Sequence, residues 1–174
     1  MVLIETQRLQ IKRLSLPDAA FILALTNTAG WLQYIGDRGV RDLSTAEAYI
    51  TNGPLASYDQ FGHGLYRVSG KEDGLPMGIC GLLKRPHFDY PDIGFAFLPE
   101  YTGYGYAQEA AAAILGFEQQ TLSLSCVWAI TLPENARSIR LLEKLGMVFR
   151  RMISEAPGKP VLMLFEKKYP VSVT

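Results

Sequence analysis

The chain predicts a mixed α/β domain, and three observations carry that prediction. An alanine-rich segment of helical spacing, from Tyr106 to about Gln119, separates two apolar strand-like runs, 93–98 and 126–132, and such a connection lets two strands lie parallel and adjacent. Two earlier runs, 64–69 and 77–84, flank the polar turn Lys71-Glu72-Asp73-Gly74, the pattern of an antiparallel hairpin. A last pair, 148–153 and 161–167, folds around Pro157-Gly158. Antiparallel pairs therefore dominate the expected sheet, with one parallel pair inside it and helices on its faces.

A strand over 9–14 begins the pattern. Pro17 then suits the first turn of a helix in which Ala20, Leu23 and Ala24 recur at helical spacing. Between Trp31 and Arg38, Gly36 and Gly39 oppose a long helix and aromatic residues stand beside charges. Ser44 and Glu47 have the spacing of a capping box, which starts a helix expected to close near Asn52-Gly53. After the hairpin, Phe88-Asp89-Tyr90-Pro91 turns the chain into the 93–98 strand. Beyond the 126–132 strand, Asn135 suits a helix N-cap, Ile139, Leu142 and Leu145 form one apolar stripe, Lys144 sits in the last turn and Gly146 suits the left-handed position after it. No linker, repeat or low-complexity stretch divides these elements, so one domain over 1–174 is expected.

Chemistry enters at Phe97-Leu98-Pro99-Glu100-Tyr101-Thr102-Gly103-Tyr104-Gly105-Tyr106-Ala107-Gln108-Glu109-Ala110. A strand stops at a proline, turns through two glycines and enters a helix. Glycines let backbone approach an anion, and the first N–H groups of a helix have no intrahelical acceptor and lie at the positive end of its dipole. This is the layout of a phosphate seat, although an ordinary strand-to-helix connection has the same ingredients. The second segment, Pro133-Glu134-Asn135-Ala136-Arg137-Ser138-Ile139-Arg140-Leu141-Leu142-Glu143-Lys144-Leu145-Gly146-Met147, is also explicable as a helix and nothing more.

In this order and at this separation, the two segments together resemble the acetyl-CoA-binding half of the GNAT superfamily of N-acetyltransferases. Glu5-Thr6-Gln7-Arg8-Leu9-Gln10-Ile11 is similar to the family's opening strand, and Tyr34-Ile35-Gly36-Asp37-Arg38 with Ser44-Thr45-Ala46-Glu47 is similar to its substrate-side helices, in the manner of the RimJ/RimL-like branch. The resemblance implies a mixed, mostly antiparallel central sheet flanked by helices, whose parallel pair splays to admit the pantetheine of acetyl-CoA. It departs from the family at Thr102, where many members carry Gln or Arg, and at Met147, where Phe is usual. Thr102 still offers a hydroxyl, and Met147 is an apolar exchange.

Direct transfer of an acetyl group from acetyl-CoA to a primary amine makes three demands, and the resemblance distributes them over this chain. The donor would be held by backbone groups of Phe97 and Leu98, by the turn Thr102, Gly103, Tyr104, Gly105, Tyr106 and Ala107, and by the amide of Asn135. The attacking amine must be neutral, and an α-amine that titrates near ~8 needs less help from a base than a lysine near ~10.4. Glu100, Asp92 and Glu155 are candidate bases, each also readable as a turn or surface carboxylate, and a water relay needs none of them. The departing thiolate must be protonated; Leu142 stands where many members carry a tyrosine, and Ser138, three residues after Asn135, matches the serine of RimL-like members. On the acceptor side, Asp37 and Glu155 are expected to orient a cationic substrate, and Trp31 is readable either as a cleft wall or as a core residue. The acceptor is expected to be a protein or peptide N-terminal α-amine, with a small amine metabolite or antibiotic, or a non-catalytic acyl-CoA sensor of the same fold, as the alternatives.

Composition excludes little of this and removes competitors. Lys and Arg total 17 against 17 Asp and Glu, so no global charge draws the molecule to nucleic acid or a membrane surface. The N-terminus lacks a signal-peptide pattern and no apolar run approaches a membrane span, which leads to a cytoplasmic expectation. Cys80 and Cys126 lie in strand-like stretches and read as buried free thiols. His63 and His87 have no metal-ligand spacing around them, so no metal is expected. A dinucleotide fingerprint would need glycine where Gln108 stands, a P-loop would need Gly-Lys-Ser/Thr, and no Gly-x-Ser-x-Gly elbow occurs. Monomer and homodimer are both compatible with the sequence.

Overall fold

Eight strands form one sheet in the order β1-β2-β3-β4-β5-β6-β8-β7 in a computed structural model, whose described residues are 1–170. Every neighbouring pair is antiparallel except β5 (Asp92–Phe97) with β6 (Cys126–Thr131). The hairpin expected around Gly74 is β3 (Leu65–Gly70) with β4 (Pro76–Leu83). The closing pair is β7 (Val148–Ser154) with β8 (Val161–Lys168), and β8 inserts between β7 and β6.

Two helical layers cover the sheet. On one face, α5 (Tyr106–Leu122) and α6 (Ala136–Lys144) bury Ala110, Ala111, Ile114, Leu115 and Leu142 against Leu9, Ile11, Val68, Val127 and Phe165. On the other, α1 (Ala19–Thr26), α2 (Ala29–Tyr34) and α3 (Leu43–Ile50) bury Ile22, Leu25, Trp31, Ala46 and Ile50 around Ile79. Strand β5 lies between the two layers, and its alternation divides it: Phe95 and Phe97 pack toward α5, Ala96 and Leu98 toward α1–α3.

Three local expectations are corrected. The opening strand is two strands, β1 (Val2–Glu5) and β2 (Leu9–Arg13), because Thr6 closes a turn in which its N–H reaches the Leu9 carbonyl at 3.0 Å. The box that starts α3 lies two residues before Ser44 and Glu47: the Asp42 carboxylate accepts the Thr45 N–H at 2.8 Å while the Thr45 hydroxyl accepts the Asp42 N–H at 3.0 Å. A carboxylate at the cap draws more from the unpaired N–H groups than the serine two residues later. The chain also does not leave the helix at Asn52-Gly53. It widens into a π-helical turn over Thr51–Leu55 and continues as α4 (Ala56–Phe61), ending at left-handed Gly62. The wider turn accommodates Pro54, whose ring and missing N–H disrupt the tighter α-helical ladder.

The helix after Asn135 ends as its sequence predicts. Gly146 is left-handed at φ +79°, and the N–H groups of Gly146 and Met147 bond to the carbonyls of Glu143 and Leu142 at 2.9 and 3.0 Å. This is a Schellman closure, and Leu142 and Met147 supply its apolar contact inside the core.

Candidate functional site

The parallel pair touches only at its start. Asp92 is in register with Trp128, the Trp128 N–H bonds to the Pro91 carbonyl at 2.9 Å, and no later residues of β5 and β6 pair. Beyond that point Gly94 to Leu98 are only half-buried although β5 is a central strand. The backbone polarity of β5 follows from its antiparallel bond to β4. Leu98 donates to the Met77 carbonyl at 2.9 Å, and because successive residues alternate, Phe95 and Phe97 direct their N–H and C=O groups away from β4 and into the gap. Of the two residues expected to bond a pantetheine, Phe97 thus presents its backbone groups to the gap. Leu98 does not, since its N–H goes to Met77 and its carbonyl accepts the Tyr101 N–H at 3.0 Å.

Both strands deliver their C-terminal ends to a helix start at the open end of this gap, the place where parallel strands in α/β folds take ligands. From β5, a 3-10 turn (Pro99–Tyr101) leads to Gly103 at φ +88° and Gly105 at φ +81°, both left-handed. No atom lies within 4 Å of a Cβ built on Gly103, so the space beside that backbone is open. The first intrahelical bond of α5 runs from Glu109 N–H to the Gly105 carbonyl at 3.0 Å, and no side chain caps the helix. The N–H groups of Tyr106, Ala107 and Gln108 thus stand without helical acceptors at the positive end of a 17-residue helix. Thr102 does not point its proton at this site: its hydroxyl donates to the Pro99 carbonyl at 2.8 Å and leaves only its lone pairs free. Tyr104 is largely exposed and Tyr106 half-buried.

From β6, the chain enters α6 at Asn135, whose Oδ1 accepts the Ser138 N–H at 3.2 Å. The cap occupies the amide oxygen and leaves the NH₂ of Asn135 available. Asn135 and Ser138 are half-buried on one side of the helix, and no hydrogen bond engages the Ser138 hydroxyl among the described residues. Leu142, in the position of the family's tyrosine, is 1% exposed and belongs to the core, where a phenol would not fit.

The face opposite α5 carries a second set of groups at the closed end of the gap. Asp92 is buried there and its carboxylate accepts Arg85 Nε at 2.9 Å, while Arg85 Nη1 and His87 Nε2 lie 3.3 and 3.5 Å from Glu155. Burial pushes the Asp92 carboxyl above its ordinary range against the opposing pull of Arg85. Trp128 shares this face, with Phe88 and Tyr90 edge-on to it at 5.4 Å each, and a groove of ≈ 200 Å³ runs between Trp128, Phe88, His87, Arg151 and Glu155. The structure does not bring Asp37 to Glu155. Asp37 lies in the α2–α3 loop, where its carboxylate pairs with Arg41 and accepts the Gly39 N–H at 2.8 Å, and the Arg41 hydrogen bond holds its pKa low. Trp31 takes its core reading: it is 5% exposed and packs edge-on to Tyr49 at 6.4 Å.

Cys80 and Cys126 are buried free thiols, and burial raises both, Cys126 to about 11, so neither is poised as a nucleophile. Among the described residues no group of three His, Cys, Asp or Glu side chains is placed to hold a metal ion, and no helix is long and apolar enough to cross a membrane. Two features of the site had no signal in the sequence: the Arg85 partner of Asp92, and the ion pair between Arg8 and Glu109 beside the glycine turn.

A parallel pair that diverges between a glycine turn and an asparagine-capped helix, inside an otherwise antiparallel sheet, is the architecture of an acetyltransferase domain. The acetyltransferase (GNAT) domain model matches residues 8–148, and the chain belongs to the GNAT acetyltransferase family. It is 28% identical to the uncharacterized N-acetyltransferase YnaD of Bacillus subtilis (strain 168), over 83% of this chain and 81% of that protein. Its fold matches an acetyltransferase from Agrobacterium tumefaciens str. C58 with a TM-score of 0.79 at 24% identity, covering 95% of this chain and 94% of that one. It also matches RimL, a ribosomal L7/L12 α-N-protein acetyltransferase in complex with coenzyme A, with a TM-score of 0.83 at 11% identity, covering 97% and 98%.

Proposed function

We propose that this protein is a cytoplasmic enzyme that moves an acetyl group from acetyl-CoA directly to a primary amine, with a protein or peptide N-terminal α-amine as acceptor. The observation that carries the donor assignment is the gap itself: β5 turns the backbone of Phe97 toward a strand it does not pair with, directly before a turn that leaves three helix amides without acceptors. An extended pantetheine would add to β5 as a strand through Phe97 and Phe95, while its pyrophosphate takes the N–H groups of Tyr106, Ala107 and Gln108. The NH₂ of Asn135 is the remaining donor toward the pantetheine amides.

The amine attacks the thioester carbonyl, a backbone N–H of β5 stabilises the tetrahedral oxyanion, and the C–S bond then breaks. Ser138 hydrogen-bonds to the departing sulfur and relays to it the proton that the attacking nitrogen loses, so that its hydroxyl is protonated again when the thiol leaves. CoA's thiol has a basicity near that of cysteine, about 8.5, so a hydroxyl suffices where Leu142 leaves no phenol. On the acceptor side the buried Asp92 and the half-buried Glu155 are the carboxylates nearest the closed end of the gap, and the groove beside Trp128 is the route by which an amine would reach it. RimL's acceptor is a ribosomal-protein N-terminus, and the same α-amine chemistry suits a site whose carboxylates are already engaged with Arg85 and His87. The core position of Leu142 is what favours the second reading, a domain that binds acyl-CoA without turning it over.

Thiol release from acetyl-CoA, measured over peptides with small N-terminal residues, free lysine, polyamines and aminoglycosides, tests the proposal. Release with peptides above all others is expected. Binding of acetyl-CoA with no release for any amine identifies the sensor, and preference for polyamines or aminoglycosides identifies a small-molecule acetyltransferase.

A further inference from the structure

The glycine turn is held from outside by one side chain. Arg8, in the turn between β1 and β2, donates from Nε to the Glu109 carboxylate at 2.6 Å and from Nη1 to the Tyr104 carbonyl at 2.9 Å, and its guanidinium lies 4.5 Å over the Tyr106 ring. Those three partners are the residue between the two glycines, the first residue of α5 and the residue that makes that helix's first intrahelical bond. Glu109 is fixed in turn by the Thr6 hydroxyl at 2.6 Å and the Arg8 N–H at 2.9 Å. Burial pushes the Glu109 carboxyl up, but these three donors outweigh it and leave the group below its ordinary range.

Such a turn needs an external hold. Glycine surrenders more conformational freedom on ordering than any other residue, and nothing packs within 4 Å of where a Cβ on Gly103 would stand. The guanidinium also approaches Gly105 closely, with Nη2 3.4 Å from where a Cβ would stand. Its charge is already balanced by Glu109, which separates its role from that of a simple phosphate ligand.

We propose that Arg8 and Glu109 are positioning residues, which fix the glycine turn and the free amides of Tyr106, Ala107 and Gln108 in the shape that receives the pyrophosphate of CoA. The proposal rests on the donor-site assignment above. The planar fork and the stacking on Tyr106 are what matter, so lysine at position 8 does not substitute for arginine.

Calorimetric titration of CoA into wild type, Arg8→Ala and Arg8→Lys, with steady-state kinetics on any amine the enzyme accepts, provides the test. Both variants should weaken CoA by about tenfold or more and raise KM for acetyl-CoA in proportion, with kcat at saturating donor within about threefold of wild type. In the unliganded Arg8→Ala protein, exchange of the Glu109 amide, which makes the first bond of α5, should accelerate while β3 and β4 stay protected. Unchanged affinity in Arg8→Ala, or full rescue by Arg8→Lys, overturns the proposal. If Arg8→Ala fails to fold, Tyr106→Leu keeps the backbone amide and an apolar side chain while removing the ring under the guanidinium, together with its contacts to Tyr101 and Tyr104; it should weaken CoA by a smaller factor, and no weakening is equally fatal. A wild type that binds CoA but acetylates no amine ends the transfer assignment and leaves the affinities to decide this one, whereas a wild type that does not bind CoA ends both.

Discussion

Substitution of Gly103 separates the conformation of the turn from the space beside it. The residue sits at φ +88°, where an L-side chain costs about 1–2 kcal/mol, and no atom stands within 4 Å of its missing Cβ. Gly103→Ala therefore carries a conformational penalty and no clash, and in a chain of 174 residues about 1–2 kcal/mol lowers Tm by roughly 2–8 °C. Asparagine tolerates the left-handed region, so Gly103→Asn should recover most of that stability. Affinity for CoA should not recover with it. If the open space is where the pyrophosphate lies, any Cβ holds the anion off the backbone, and loss of a charge-assisted hydrogen bond worth about 1.5–3 kcal/mol weakens binding by roughly ten- to over a hundredfold. Thermal melts and CoA calorimetry on wild type, Gly103→Ala and Gly103→Asn separate the two effects. An Asn variant with wild-type affinity would refute the reasoning, because the open space would then have no part in donor binding.

Ser138→Ala should reduce turnover by about ten- to a hundredfold with little change in acetyl-CoA affinity, since a donor to the departing sulfur acts mainly in the transition state; wild-type turnover would transfer that role to water. Because Glu109 titrates below its ordinary range in the fold, its contribution is complete above the unfolded value of about 4.3 and is lost as pH falls through the folded one. Glu109→Gln should accordingly be less stable than wild type at neutral pH, and acid melts of the two should converge below that window; a constant difference across pH would place the contribution in packing. Asp37 is solvent-exposed and already paired with Arg41, so Asp37→Asn should leave the thermal melt close to wild type, and a peptide acceptor's KM should rise in Glu155→Gln more than in Asp37→Asn. The reverse order in KM would put the α2–α3 loop, and not the groove beside Trp128, against the acceptor.

The backbone geometry of the candidate donor site was legible because its determinants are local. Gly103 and Gly105 announce a backbone that only glycine adopts cheaply, Asn135 and Gly146 announce the two ends of α6, and each signal lies within a few residues of the geometry it specifies. The errors fell where two local signals competed, as when Asp42 displaced Ser44 at the α3 cap and Pro54 was absorbed by a widened turn instead of ending the helix. The proposed acceptor side is non-local. Asp92 is buried in a central strand and takes Arg85 from across a loop, and Glu155 meets the same Arg85 across 70 residues of sequence, so the pattern around neither carboxylate marks the cluster they form. Arg8 and Glu109 are 101 residues apart, and each has a sufficient local explanation, a polar turn residue and an acid in a helix's first turn. A glycine turn can announce its conformation in sequence, but the groups that hold it there come from whichever strand the sheet places beside it. The recognisable motif is therefore the part of the proposed donor site least able to keep its own shape.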